Sequence, residues 1–131
     1  MSVVGVGTDL VQVERVRRVL ERHGERFACR VLDQPEMQRW RTHADPGSYL
    51  ARRWAVKEAA AKALGTGIGG SLGFHDLHVA STAAGAPQLE VTGRGAETAR
   101  LLGVTRWHVS LSDDGGFALA FVLAEGAPAT G

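Results

Sequence analysis

Ser48-Tyr49-Leu50-Ala51-Arg52-Arg53-Trp54-Ala55-Val56-Lys57-Glu58-Ala59-Ala60-Ala61-Lys62-Ala63-Leu64 reads as the strongest helix of the chain. Its alanines at 51, 55, 59, 60, 61 and 63 favour helix and leave little side-chain bulk, and Gly65 ends it. Near the N-terminus, residues 3–8 read as a buried strand. Period two sets Val4, Val6 and Thr8 on one face and Gly5, Gly7 and Asp9 on the other. Glycine inside a strand marks close approach by another backbone. A face of small residues can make that approach, so the alanine helix is expected to dock on Gly5 and Gly7, with Asp9 at the edge of the contact.

The rest of the chain fits around this pair. Residues 10–22 read as a helix with Asp9 as its N-cap. Val13, Val16 and Leu20 form its apolar stripe, and Arg15, Arg18 and Arg22 lie opposite. Phe27, Val31 and Leu32 suggest a short helical piece, and Asp33-Gln34-Pro35-Glu36 begins another that runs to about residue 40. Strands are expected over 74–80, 88–92, 106–112 and 117–123, with a helix over 95–102 and a hairpin turn at Asp113-Asp114-Gly115-Gly116. The fold class is α+β, an antiparallel sheet packed against a long Ala-rich helix. One domain over 1–125 is expected, followed by a flexible tail over 126–131.

Bulk properties narrow the function classes. The 131 residues suffice for one domain with a real core, and 44% hydrophobic residues make it globular. A formal net charge of +1 argues against a general nucleic-acid binder. The one cysteine, Cys29, allows no intrachain disulfide, which fits a reducing compartment. No signal-peptide pattern and no apolar run of the ~20 residues that span a bilayer is present, so no membrane partner is expected and cytoplasm is the default.

Asp9 and Glu58 carry the chemistry. Each has an ordinary explanation: Asp9 as a helix cap, and Glu58 as the partner of Lys62 in an i, i+4 surface pair. Together they read differently, because two converging carboxylates repel unless a proton or cation compensates them. Mg²⁺ takes one or two protein carboxylates plus phosphate oxygens and waters, and the chain offers no Cys/His cluster for Zn²⁺. Arg53, Lys57 and Lys62 flank this site on the same helix and are placed to meet phosphate. The glycine-rich loop 65–70 follows a helix, so it is not a dinucleotide fingerprint. It is either plain linker or a row of N–H groups lining a phosphate or an extended substrate arm. His75 and His78 point to opposite faces of their expected strand, which discounts a metal pair. Arg15, Arg18 and Arg22, with Arg26 beyond, have Glu14, Glu21 and Glu25 interspersed. They form either a self-paired solvated face or a docking surface for an acidic helix.

Three stretches carry a family resemblance: Gly5-Val6-Gly7-Thr8-Asp9-Leu10-Val11, the run Tyr49 to Gly69 around Trp54-Ala55-Val56-Lys57-Glu58-Ala59, and His108-Val109-Ser110-Leu111-Ser112. They closely resemble the holo-acyl-carrier-protein synthases, the small stand-alone class of 4′-phosphopantetheinyl transferases. The resemblance spans about residues 3–125. It implies that fold, and a Mg²⁺-dependent transfer of the 4′-phosphopantetheine arm of coenzyme A to a serine of acyl carrier protein. It also implies adenosine 3′,5′-bisphosphate as the other product and a homotrimer with active sites between protomers. By the same resemblance Asp9 and Glu58 hold the metal, and Asp9, Glu58 and Lys62 are catalytic. Lys57 and Lys62 contact the diphosphate. Arg53, His108 and Ser110 contact the rest of coenzyme A, and Gly65, Thr66 and Gly67 border it. Arg15, Arg18, Arg22 and Arg26 dock the carrier. Gln12 stands where many members carry an acid, so no metal role is assigned to it. Two other readings are a broad-specificity transferase serving polyketide carriers and a non-catalytic nucleotide-binding module.

Overall fold

The computed structural model describes residues 2–127. Three long strands, β1 (Ser2–Gln12), β4 (Val104–Asp114) and β5 (Phe117–Gly126), form an antiparallel sheet in which β5 lies in the middle. A second antiparallel sheet pairs β2 (Leu77–Ser81) with β3 (Pro87–Val91). The helices are α1 (Val13–His23), α2 (Glu25–Val31), α3 (Gln34–Thr42), α4 (Pro46–Ala63) and α5 (Gly93–Leu101).

The strand of glycines and the helix of alanines meet as their composition requires. A Cβ on Gly7 would lie 1.9 Å from the Ala59 carbonyl oxygen, and one on Gly5 would lie 1.8 Å from that of Ala63. Only residues without a side chain fit, because the obstacle is backbone on both sides. The inner face of the sheet continues this economy of bulk. Ala118, Ala120, Val122 and Ala124 of β5 are fully buried, as are Ala51, Ala55, Val56, Ala59 and Ala60 of α4. Val13 and Val16 of α1 join the same core.

Register settles which residues share a face. Gly7, Val122 and Val109 form one inner row, and Asp9, Ala120 and Leu111 the next. On the outer face, Val6, Leu123 and His108 form a row, followed by Thr8, Phe121 and Ser110, then Leu10, Leu119 and Ser112.

Several boundaries differ from expectation. β1 runs on to Gln12, because its pairing with β5 continues from Asp9↔Ala120 to Gln12↔Phe117. Asp9 is therefore a strand residue and not the cap of α1; Gln12 holds the N-cap position, and the Val13 N–H donates to the Gly116 carbonyl at 2.9 Å. Residues 74–76 form a 3-10 turn before β2 begins. The β4–β5 turn narrows to Gly115 and Gly116, both with positive φ (58° and 83°), which suits a two-residue hairpin. β5 extends to Gly126, which pairs with Ser2 and with Val104, so the expected tail does not begin at 126. The remainder of that expected tail, residues 128–131, lies outside the described residues.

Candidate active site

Trp54, Glu58 and Lys62 recur at i, i+4 along α4 and form a partly exposed stripe on a largely buried helix. This stripe runs beside the inner face of β1 at Asp9. Asp9 and Glu58 line one cleft of about 260 Å³, together with Leu10, Gln12, Arg15 and Trp54. Lys62 does not pair with Glu58. Its Nζ reaches across to β1 and donates to Asp9 Oδ1 and to the Thr8 carbonyl, both at 2.9 Å. Glu58 Oε1 instead accepts from Trp54 Nε1 at 3.1 Å. The cleft thus holds two carboxylates of which only one has a cationic partner among the described residues. The donor set is all oxygen, and no group of three or more His, Cys, Asp or Glu forms among the described residues. Two carboxylates facing an open cleft fit a hard cation that takes its other ligands from substrate and water.

Lys57 departs from expectation. It is fully buried, and its ammonium donates to Glu36 Oε1 and to the Val31 carbonyl, both at 2.7 Å. The reason is helical geometry: one residue along α4 is a rotation of about 100°, which turns Lys57 inward while Glu58 faces the cleft. Burial pushes its ammonium below the ordinary lysine value, against the pull of Glu36. Glu36 is itself buried and also accepts from the Asp33 N–H at 2.9 Å and the Val79 N–H at 3.2 Å. One carboxylate therefore joins α3, α4 and β2. Lys57 cannot touch a diphosphate from this position.

The other expected coenzyme contacts are scattered within one chain. Arg53 lies largely buried with its guanidinium 4.6 Å from the centre of the Tyr49 ring and Nε 3.8 Å from Glu36 Oε2. It lines a separate cleft of about 360 Å³ with His43, Tyr49, Arg52 and Pro87. Gly65, Thr66 and Gly67 follow Lys62 at the end of α4, with Gly65 and Gly67 at positive φ. His108 and Ser110 sit on the outer face of the sheet, opposite to Asp9, and His108 Nε2 lies 2.8 Å from Glu125 Oε2. A single chain does not bring them to the Asp9–Glu58 cleft. His75 and His78 are structural. His75 Nε2 contacts the Cys29 carbonyl at 2.7 Å, and His78 bridges Asp33 (2.6 Å) and Thr92 (2.7 Å). Burial alone would raise the Asp33 carboxyl; the Glu36 N–H and His78 outweigh it and hold it below the ordinary value.

The sequence profile of the 4′-phosphopantetheinyl transferase superfamily matches residues 5–124. The chain belongs to this superfamily. A holo-[acyl-carrier-protein] synthase of Edwardsiella ictaluri is 50% identical over 126 residues, covering 96% of this chain and all of the relative. Among solved structures, the holo-[acyl-carrier-protein] synthase of Neisseria meningitidis superposes with a TM-score of 0.89 at 36% identity, covering 95% of this chain and 99% of that one. The synthase of Bacillus anthracis in complex with CoA (3′,5′-ADP) gives a TM-score of 0.79 at 29% identity, covering 95% and 98%.

In this phosphopantetheinyl transferase chain the arginine face of α1 is not self-paired. Glu14 is taken by Arg17, which also binds Asp45 at 2.9 Å, and Glu25 is taken by Arg41 at 2.8 Å. Arg15, Arg18, Arg22 and Arg26 make no ion pair among the described residues and stand exposed. Arg15 reaches the rim of the Asp9–Glu58 cleft, whereas Arg26 adjoins His23, Phe27 and Arg30. Two participants escaped the sequence reading. Trp54 was findable, because it stands four residues before Glu58. Glu36 was not, since nothing local signals a pairing across 21 positions.

Lys57→Met is expected to lower the unfolding free energy by about 3–5 kcal/mol, the cost of stranding a buried partner charge, read by urea denaturation. An unchanged urea midpoint combined with a raised KM for coenzyme A would return Lys57 to substrate binding.

Proposed function

We propose that this protein transfers the 4′-phosphopantetheine arm of coenzyme A to a serine hydroxyl of apo acyl carrier protein, with Mg²⁺ held by Asp9 and Glu58 and adenosine 3′,5′-bisphosphate released. The observation that carries this reading is the meeting of the two carboxylates, from β1 and α4, at one cleft beside Lys62. Superfamily membership and the coenzyme-bound Bacillus anthracis relative support it. Bound Mg²⁺ offsets the charge of the diphosphate and of the leaving phosphate. Lys62, half-exposed, turns from Asp9 to a diphosphate oxygen and adds its positive charge there. The Gly65–Thr66–Gly67 segment, which follows Lys62 at the end of α4, borders the remainder of coenzyme A. The chain acts as one domain in the cytoplasm, where reducing conditions keep the exposed Cys29 as a thiol.

The outer face of the sheet supports a homotrimer with sites between its subunits. Val6, Leu10, Leu119 and Phe121 stand exposed there side by side, and contiguous apolar surface marks an interface. His108 and Ser110 share that face, so a second copy packed over it supplies them to the cleft of the first. The exposed arginines of α1, with Arg15 at the rim of the same cleft, receive an acidic helix of the carrier.

Three outcomes are expected. Asp9→Ala and Glu58→Ala each lose most transfer while melting cooperatively, read as the disappearance of the pantetheine mass shift on carrier incubated with coenzyme A and Mg²⁺; near-normal turnover in either would sink the shared-metal site. Arg22→Glu raises the KM for carrier about tenfold, the effect of ~1.4 kcal/mol, and leaves the KM for coenzyme A unchanged; equal rises in both would remove the docking face. Sedimentation equilibrium yields three times the 13.9 kDa chain mass, and Phe121→Glu breaks this assembly. A wild-type protein that sediments as one chain contradicts it.

A further inference from the structure

The two carboxylates of the cleft are held in different ways. Asp9 is gripped by the Lys62 ammonium, a charge that a diphosphate or a cation can displace. Glu58 is gripped by an indole N–H, a donor that carries no charge. Trp54 is itself braced: Phe27 of α2 meets its ring edge-on, with centroids 5.2 Å apart and planes at 71°. Trp54 and Glu58 both line the cleft.

A free glutamate samples many rotamers and loses that freedom when it binds a ligand. A single hydrogen bond to Oε1 from a braced ring restricts the carboxylate beforehand. Glu58 Oε2 has no hydrogen-bond partner among the described residues, and Glu58 lines the cleft. A donor-only group is suited to this task. It can orient one carboxylate oxygen and can neither compete for the cation nor neutralise the carboxylate.

We propose that Trp54 is a positioning residue for the metal site, its indole N–H setting the orientation in which Glu58 receives a divalent cation. The inference rests on the metal-binding reading above and assigns Trp54 no contact with the reacting atoms. Outer-shell partners of this kind typically contribute 10–100-fold in metal affinity.

The test is direct binding of Mn²⁺, measured as free ion by electron paramagnetic resonance, without coenzyme A. Trp54→Phe keeps an aromatic ring for Phe27 to meet and removes the N–H donor together with part of the indole. It is expected to raise the Mn²⁺ dissociation constant about tenfold or more, and Glu58→Ala is expected to abolish binding at that site. Trp54→Phe binding as tightly as wild type, with Glu58→Ala inactive in binding, overturns the positioning role and leaves the metal site standing. Glu58→Ala binding like wild type overturns the metal reading and the inference with it. If Trp54→Phe does not melt cooperatively, wild-type protein decides the matter by NMR. The chain has three tryptophans, and the Trp54 indole N–H resonance is identified by elimination with Trp40→Phe and Trp107→Phe. Mg²⁺ is expected to move that resonance and not the other two; a Trp54 resonance that stays in place overturns the proposal.

Discussion

The backbone-to-backbone contact between β1 and α4 governs the molecule. At Gly5 and Gly7 the strand comes so near the Ala59 and Ala63 carbonyls that a single added carbon would collide. Everything at the cleft is measured from this contact. It lays the exposed stripe of α4 along β1 and leaves Asp9 just past the last glycine, where the helix surface opens enough for Lys62 to cross to it. A wider contact, built on valine or leucine, would lift α4 away and separate the two carboxylates.

The same contact inverts the usual distribution of bulk. The inner faces of β1 and β5 are mainly glycine, alanine and valine, while Val6, Leu10, Leu119 and Phe121 lie outside. Large apolar residues displaced to a surface are unfavourable for a lone chain in water. The close internal packing and the apolar exterior are two consequences of one pattern.

Helix α4 manages its charges by direction. Arg53 and Lys57 turn inward and meet Glu36, whose carboxylate also ties down α3 and β2. That cluster is buried and serves the fold. Trp54, Glu58 and Lys62 turn outward on the next stripe, where Glu58 meets the Trp54 indole and Lys62 meets Asp9 at the cleft. Charges adjacent in sequence thus have unrelated surroundings, one set held at low dielectric by fixed partners and the other left beside an open cleft.

The α+β class, the long alanine helix, its docking on Gly5 and Gly7 and the convergence of Asp9 with Glu58 were legible in the residues alone. Each depends on local periodicity or on the absence of a side chain, which sequence records directly. The length of β1 was not legible, because the pairing with β5 is made by residues more than a hundred positions away and it overrode the capping preference of Asp9. Nor was the inward turn of Lys57, which answers to Glu36 on another helix. The exchange of partners at the cleft, Lys62 to Asp9 and Trp54 to Glu58, belongs to tertiary structure as well. An i, i+4 spacing states which groups are neighbours along one helix, and only the packing of a strand against that helix decides which neighbour each charge takes.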